Sequence, residues 1–442
     1  MKIITFFFCL QFGILFASPE LIISPQSAFL NEIISIEVKG LNPLQEIEIS
    51  ASMNDESSRK WMSTAKFQAD SNGLVQTKTQ SPLSGTYSEI DPMGLFWSMI
   101  QVPSNSQSVM FSKRNLDPVT VEIQVKSTQG EILKGNVKRV VVKEGVKKIP
   151  ISEHGMVANL FLPEGSGPFP GIIFIPGLGG GMPADASAVQ FANHGYAVLA
   201  LAYFGLKGLP DKPQQIPLEY FFKTIQWMKK RTEIDTKHLI LLGDSFDGGT
   251  ALLVASHSPD VKAVISFCGR GIITQAGSPG VTGAPFTFKG KDLPYIPLKA
   301  MPSKINVEDI PYYFLDLLYG GLFAQNKKNI EAATIKVEKI NGPILMFAGL
   351  DDRLANSVFL SEISYERLVS HHFPYDFHLI TYAGTGHTVG VWRLPYFPTT
   401  NLFFTAESTQ IRYYFGGNPQ DTAKAQADCW NRTFRFLQKH TR

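Results

Sequence analysis

Leu239-Ile240-Leu241-Leu242-Gly243-Asp244-Ser245-Phe246-Asp247-Gly248-Gly249 joins a short apolar run to a glycine-bearing turn, and an apolar stretch of helical character follows it. Four apolar residues closed by a turn read as a buried strand. The serine therefore stands on a strand-to-helix elbow. A serine hydroxyl is a poor nucleophile until a base takes its proton. A tight elbow lifts Oγ out of the sheet towards that base, and glycines flank it because side chains there meet neighbouring backbone. The pattern is incomplete here. Asp247 stands two places after Ser245, and the glycines fall at 248 and 249. Asp247 is expected to crowd the elbow or shift its turn. Taken alone, the stretch also reads as a plain turn in which Asp244 or Ser245 caps the helix.

Working outward, the partners of an activated serine are present in the order Ser, Asp, His that suits such an elbow. Asp352 follows the strand Pro343 to Phe347, within Gly349-Leu350-Asp351-Asp352. His387 follows the strand Phe377 to Tyr382, within Gly384-Thr385-Gly386-His387. Strand ends at one sheet edge converge in space although far apart in sequence. His387 is expected to take the proton of Ser245, and Asp352 to hold the imidazole in its tautomer. Asp351 competes for the last role, and His371, His372 and His378 are alternatives to His387. An oxyanion hole needs backbone N–H donors. The amide of Phe246 is one candidate. The second comes from the turn Gly177-Leu178-Gly179-Gly180-Gly181, through Leu178 or Gly179. The same glycines also read, more weakly, as a phosphate cradle, but neither dinucleotide nor Walker spacing is present.

The texture changes once along the chain. Residues 19–146 read as a β-sandwich. Ile33 to Val38, Ile47 to Ala51, Val119 to Val125 and Val137 to Val142 alternate or nearly alternate, and turn residues separate them. Residues 147–442 read as an α/β domain. Gly171 to Pro176 and Tyr196 to Ala202 are continuous apolar runs, as in a mostly parallel sheet covered on both faces. Leu218 to Arg231 is a helix with a basic end. The stretch from Gly269 to Ile340 reads as an irregular insertion or lid.

Lys+Arg total 41 against 38 Asp+Glu, a formal charge of +3, which leaves no electrostatic case for a nucleic-acid partner. Cys9, Cys268 and Cys429 offer no metal spacing and at most one disulfide in a mature chain. Cys268 reads as a buried small hydrophobe. Residues 1–18 read as a signal peptide, because Ile3 to Ala17 is apolar but short for a span. A secretory or extracellular location follows, with cytoplasmic as the alternative, and no stable membrane span remains after signal removal.

Further residues carry a resemblance. Gly85 to Met99 reads GTYSEIDPMGLFWSM, with Phe111-Ser112-Lys113-Arg114 beyond it. Gly167-Pro168-Phe169-Pro170-Gly171, Gly195 to Tyr203, Leu218-Glu219-Tyr220-Phe221, Pro395-Tyr396-Phe397-Pro398 and Gly416-Gly417-Asn418-Pro419 follow. With these the chain resembles the type I acyl-CoA thioesterases and the related bile acid-CoA:amino acid N-acyltransferases. The resemblance implies an N-terminal β-sandwich followed by an α/β-hydrolase domain, and a triad at Ser245, Asp352 and His387. It implies a fatty acyl-CoA substrate, cleaved to free acid and CoA, with no cofactor beyond the CoA of the substrate. The acyltransferase branch usually carries cysteine as nucleophile, so Ser245 points to the hydrolase branch. Transfer to an amino acid, and a catalytically weak secreted lipid-binding homologue, are the alternatives. His440-Thr441-Arg442 is not the peroxisomal signal that some members carry.

Overall fold

The computed structural model describes residues 18–103, 109–128, 130–278, 280–299, 310–390, 394–400, 403–405 and 412–441. The signal-peptide reading, apart from Ser18, lies outside the described residues, as do Cys9 and Arg442.

In the N-terminal part, strict alternation builds two sheets. Glu46–Asn54 places Ile47, Ile49, Ala51 and Met53 inside, and its partner Lys60–Gln68 places Trp61, Ala65 and Phe67 there. With Val119–Ser127, Gly130–Val140 and shorter strands they form a seven-stranded sheet. A three-stranded sheet of Glu20–Ser24, Ser35–Lys39 and Val75–Gln76 adds Ile36 and Val38 to the same core. Period-two burial from two sheets is what makes a sandwich.

The second part is built on eight strands: β1 (Lys147–Glu153), β2 (Met156–Leu162), β3 (Phe169–Ile175), β4 (Ala197–Ala202), β5 (Ile234–Asp244), β6 (Ala263–Phe267), β7 (Ile344–Gly349) and β8 (Phe377–Tyr382). Their order is β1-β2-β4-β3-β5-β6-β7-β8. Strands β3 to β8 are mutually parallel, and β2 runs antiparallel to β1 and β4. This is the α/β-hydrolase arrangement. Every residue of β4, β6 and β7 is buried, because helices cover both faces. On one face lie α1 (Asp185–Asn193) and the C-terminal α6 (Pro419–Thr441), packed over Ile172, Phe174, Val198 and Leu242. On the other lie α2 (Leu218–Lys229), α3 (Phe246–Ser256) and α5 (Ser357–Ser370), over Ile173, Leu199, Leu241 and Met346.

The stretch from Gly269 to Ile340 is more ordered than its composition suggests. Phe286–Phe288 pairs with Ile216–Pro217 and Lys291–Asp292. Helix α4 spans Ile310–Phe323. Pro311 stands in its first turn, where the missing N–H costs nothing. A Cβ on Gly321 would come 2.1 Å from the carbonyl oxygen of Pro297, so this glycine serves a close backbone approach and does not break the helix.

The sandwich docks on the α1/α6 side. Nε2 of Gln190 and Nδ2 of Asn193 donate to the carbonyl of Val141 at 3.0 and 2.9 Å. The Asp91 to Trp97 segment is a second clasp. Asp91 accepts the amide of Met93 and, at 2.8 Å, the indole N–H of Trp97. The carbonyl of Trp97 then accepts the amide of Thr399 at 3.0 Å. Gly94 is required because a Cβ there would lie 2.2 Å from the ring of Tyr87.

Candidate active site

Strand β5 ends at Asp244 and α3 begins at Phe246, so Ser245 makes the whole turn. Its φ of 56° and ψ of −125° place an L-residue in left-handed backbone, a strain of about 1–3 kcal/mol. Two backbone bonds hold it: the Ser245 amide donates to Phe267 at 2.7 Å, and its carbonyl accepts from Gly248 at 3.0 Å. Gly243 is dictated by this geometry, since a Cβ there would fall 1.9 Å from the carbonyl oxygen of Asp247.

The expectation that Asp247 crowds the elbow is not met. The close approach to the neighbouring strand falls one residue later, at Gly248, where a Cβ would meet Oγ of Ser266 at 2.6 Å and Cα of Gly269 at 2.8 Å. Asp247 is fully buried, and its Oδ1 accepts from the hydroxyls of Tyr203 at 2.8 Å and Thr250 at 2.7 Å. Burial pushes its carboxyl up to about 8, against the opposing pull of these two hydroxyls and of Arg270.

Ser245 does not cap α3 with its side chain. Its Oγ instead lies 2.7 Å from Nε2 of His387. Nδ1 of His387 lies 2.7 Å from Oδ2 of Asp352. His387 sits in the loop after β8, its amide donating to Phe415 at 2.8 Å and its ring parallel to the Phe415 ring. Gly386 permits this, because a Cβ would stand 2.1 Å from the carbonyl oxygen of Phe415.

The carboxylate of Asp352 is fully committed. Oδ1 accepts the amides of Leu354 and Ala355, both at 2.9 Å, and Oδ2 also accepts the amide of Ser357 at 3.1 Å. Burial works against its charge, but His387 and these donors outweigh it and hold the carboxyl below its ordinary value. Asp351 points elsewhere, to Arg353 at 2.6 Å and the amide of Gly417 at 2.9 Å. His371 and His372 lie exposed past the end of α5, and His378 is exposed within β8.

The turn after β3 runs beside the elbow, and a Cβ on Gly177 would stand 3.6 Å from Cβ of Ser245. The amides of Gly180 and Gly181 are spent on the carbonyls of Gly177 and Phe204. Among the described residues, the amides of Leu178, Gly179 and Phe246 have no backbone partner.

Cys268 closes the back of the site. Its Sγ, with ligand atoms of Asp352 and His387, forms a buried set within 4.8 Å. The imidazole and carboxylate are already bonded to each other, and burial first, then Asp352 and Asp244, push the thiol well up. That set is therefore poorly suited to a metal. Cys268 and Cys429 are both buried free thiols. The reading from sequence missed Tyr203 and Arg270. Tyr203 directly follows β4 and closes the run Gly195 to Tyr203, which gives it a place but no role.

Residues 216–442 match the model described as BAAT / Acyl-CoA thioester hydrolase C terminal, and residues 31–153 match Acyl-CoA thioester hydrolase/BAAT N-terminal region. The chain belongs to the acyl-CoA thioester hydrolase/BAAT family. Members similar to it include the peroxisomal succinyl-coenzyme A thioesterase of Mus musculus, 30% identical over 93% of this chain and 94% of the relative. Acyl-coenzyme A thioesterase 6 of Homo sapiens is likewise 30% identical, over 93% and 94%. Acyl-coenzyme A amino acid N-acyltransferase 2 of Mus musculus is 31% identical over 95% and 97%. This acyl-CoA thioester hydrolase/BAAT member is thus a hydrolase-class enzyme. No described helix is long and apolar enough to cross a membrane.

Proposed function

We propose that the chain hydrolyses fatty acyl-CoA thioesters to free acid and CoA. The observation that carries this is the 2.7 Å contact of Ser245 Oγ with His387 Nε2, continued at 2.7 Å from Nδ1 to Asp352. In this reading Ser245 attacks the thioester carbonyl and its proton passes to Nε2. The resulting oxyanion is held by the amide of Phe246 and that of Leu178 or Gly179. His387 returns the proton to the departing CoA thiolate. It then takes a proton from water, which attacks the acyl-serine ester and frees the acid. Asp352 stabilises the imidazolium in both halves. The reaction needs no group beyond the CoA that the substrate brings.

A second reading, transfer of the acyl group to an amino acid, is favoured by the resemblance to an N-acyltransferase over nearly the whole chain. Steady-state assays with acyl-CoAs of several chain lengths, with and without glycine or taurine, separate the two. Free acid formed regardless of added amine supports hydrolysis. Ser245→Ala is expected to lower kcat by about 10⁴-fold or more, and full activity in that variant would sink the mechanism. The apolar N-terminal run motivates a secretory route, tested by localising the tagged full-length chain.

A further inference from the structure

Asp247 takes no part in the chemistry proposed above, yet it is fully buried in the first turn of α3, directly after Phe246. Burying a carboxyl is costly unless donors meet it. One donor, the hydroxyl of Thr250, belongs to the same helix, 2.7 Å from Oδ1. The other comes from outside it: the hydroxyl of Tyr203, 2.8 Å from the same oxygen. Tyr203 follows β4, whereas the elbow follows β5, and β3 lies between these strands in the sheet. The Tyr203–Asp247 bond therefore links the strands on either side of β3, the strand that leads into the turn Gly177 to Gly181.

Tyr203 is itself firmly set. The hydroxyl of Tyr220 on α2 donates to the carbonyl of Ala202 at 2.5 Å, and the Tyr203 ring packs against Phe221 at 5.4 Å between centroids. Burial first, then Asp247, push its phenol well above the ordinary value, so it keeps its proton and donates. Phe204 follows directly. Its carbonyl accepts the amide of Gly181 at 3.0 Å, and its ring occupies the place of a side chain at Gly180, where a Cβ would stand 2.5 Å from it. Gly177, at the start of that turn, lies beside Ser245. The turn holding the amides of Leu178 and Gly179 is thus tied to Phe204 at one end and set against the elbow at the other.

We infer that Tyr203 is a positioning residue for the oxyanion hole. Through Asp247 it fixes the first turn of α3, and with it the Phe246 amide. Through Phe204 it fixes the turn that offers Leu178 or Gly179. One side chain then sets the spacing between donors that come from different loops. A glycine at 247 would offer Tyr203 no acceptor. The assignment rests on the reading of these amides given under the proposed function. Such donors act where charge develops in the transition state, so the brace governs turnover and leaves ground-state binding alone.

The test is Tyr203→Phe, which removes only the hydroxyl. Losing an oxyanion donor outright costs about 10²–10³ in rate, and displacing one costs less, so kcat for acyl-CoA should fall roughly 10-fold with KM little changed. A fluorophosphonate gives a readout that needs no CoA. Ser245 Oγ displaces its fluoride, His387 takes the proton, and the phosphonyl oxygen takes the oxyanion position. The variant should label roughly 10-fold more slowly, and an equal rate overturns the brace. With wild type labelled but acyl-CoA left intact, slower labelling of the variant still supports the brace while the thioester reading fails. A CoA thioether, which forms no oxyanion, should bind both proteins equally. Weakening by the same factor overturns the assignment, because Tyr203 then shapes the whole site. Asp247→Ala should also slow labelling, and adding Tyr203→Phe to it should slow it no further. Effects that multiply show that Tyr203 acts by another route and overturn it. Tyr203→Phe decides the case alone if Asp247→Ala does not fold.

Discussion

Asp247→Asn is predicted to change stability in a way that depends on pH. The carboxyl rises from an ordinary 3.8 to about 8 in the folded chain, chiefly through burial. The folded protein therefore keeps a proton that the unfolded chain releases above about pH 4. Its contribution is full below pH 4, declines as pH rises, and is lost once pH passes about 8. A rise of about four units at 1.36 kcal/mol each sets an upper limit of roughly 5–6 kcal/mol above pH 8. Structural relaxation around a buried charge reduces this, and about 2 kcal/mol or more is expected. Asparagine keeps an oxygen acceptor for Tyr203 and Thr250 but buries a new amide nitrogen, a roughly constant cost of about 1–3 kcal/mol. The informative quantity is thus the slope. Urea unfolding of both proteins at pH 5, 7 and 9 should show the variant gaining on wild type with each step. A stability difference that stays constant from pH 5 to 9, or shifts towards wild type as pH rises, refutes the assignment of a protonated Asp247.

Asp352→Asn should lower kcat by about 10⁴-fold by presenting the wrong tautomer. Asp351→Asn, whose carboxylate faces Arg353 and Gly417, should leave turnover near wild type in the same assay. Gly248→Ala should cost about 1–3 kcal/mol in urea unfolding, because its methyl meets Ser266 and Gly269. Gly249→Ala has softer neighbours in part, since the nearest atom is Cγ of Arg270, and serves as the comparison. Trp97→Phe leaves Asp91 without its indole donor and should cost about 1–3 kcal/mol, read by the same unfolding assay.

The sequence made the parallel strands legible because their runs are apolar throughout, and the sandwich strands legible because theirs alternate. Strands β1 and β2 escaped notice. β1 carries Lys147, Lys148 and Glu153 at the sheet edge, with a mostly exposed surface and little apolar signal. Helix α4 escaped because Pro311 and Gly320-Gly321 are breakers by composition, although Pro311 falls in the first turn and Gly321 is called for by the approach of Pro297, which only the fold brings near. The positions of Ser245, Asp352 and His387 could be proposed from strand ends, but the choice between Asp351 and Asp352 is a matter of rotation about one turn. The Asp247 network was not legible at all. Thr250 lies three residues on in the same helix, but Tyr203 follows β4, and no local spacing relates it to Asp247.

The clasp at Trp97 joins the sandwich to the chain at Thr399. Thr399 and Thr400 bond to the carbonyls of Trp97 and Met99, and Phe397 stacks on Phe111. Further along, Phe415 receives the amide of His387, and Gly417 donates to Asp351. Thr399 and Thr400 are thus held by the N-terminal domain, and Phe415 by the amide of His387. A C-terminal half expressed by itself would lose the bonds from Trp97 and Met99 that hold Thr399 and Thr400.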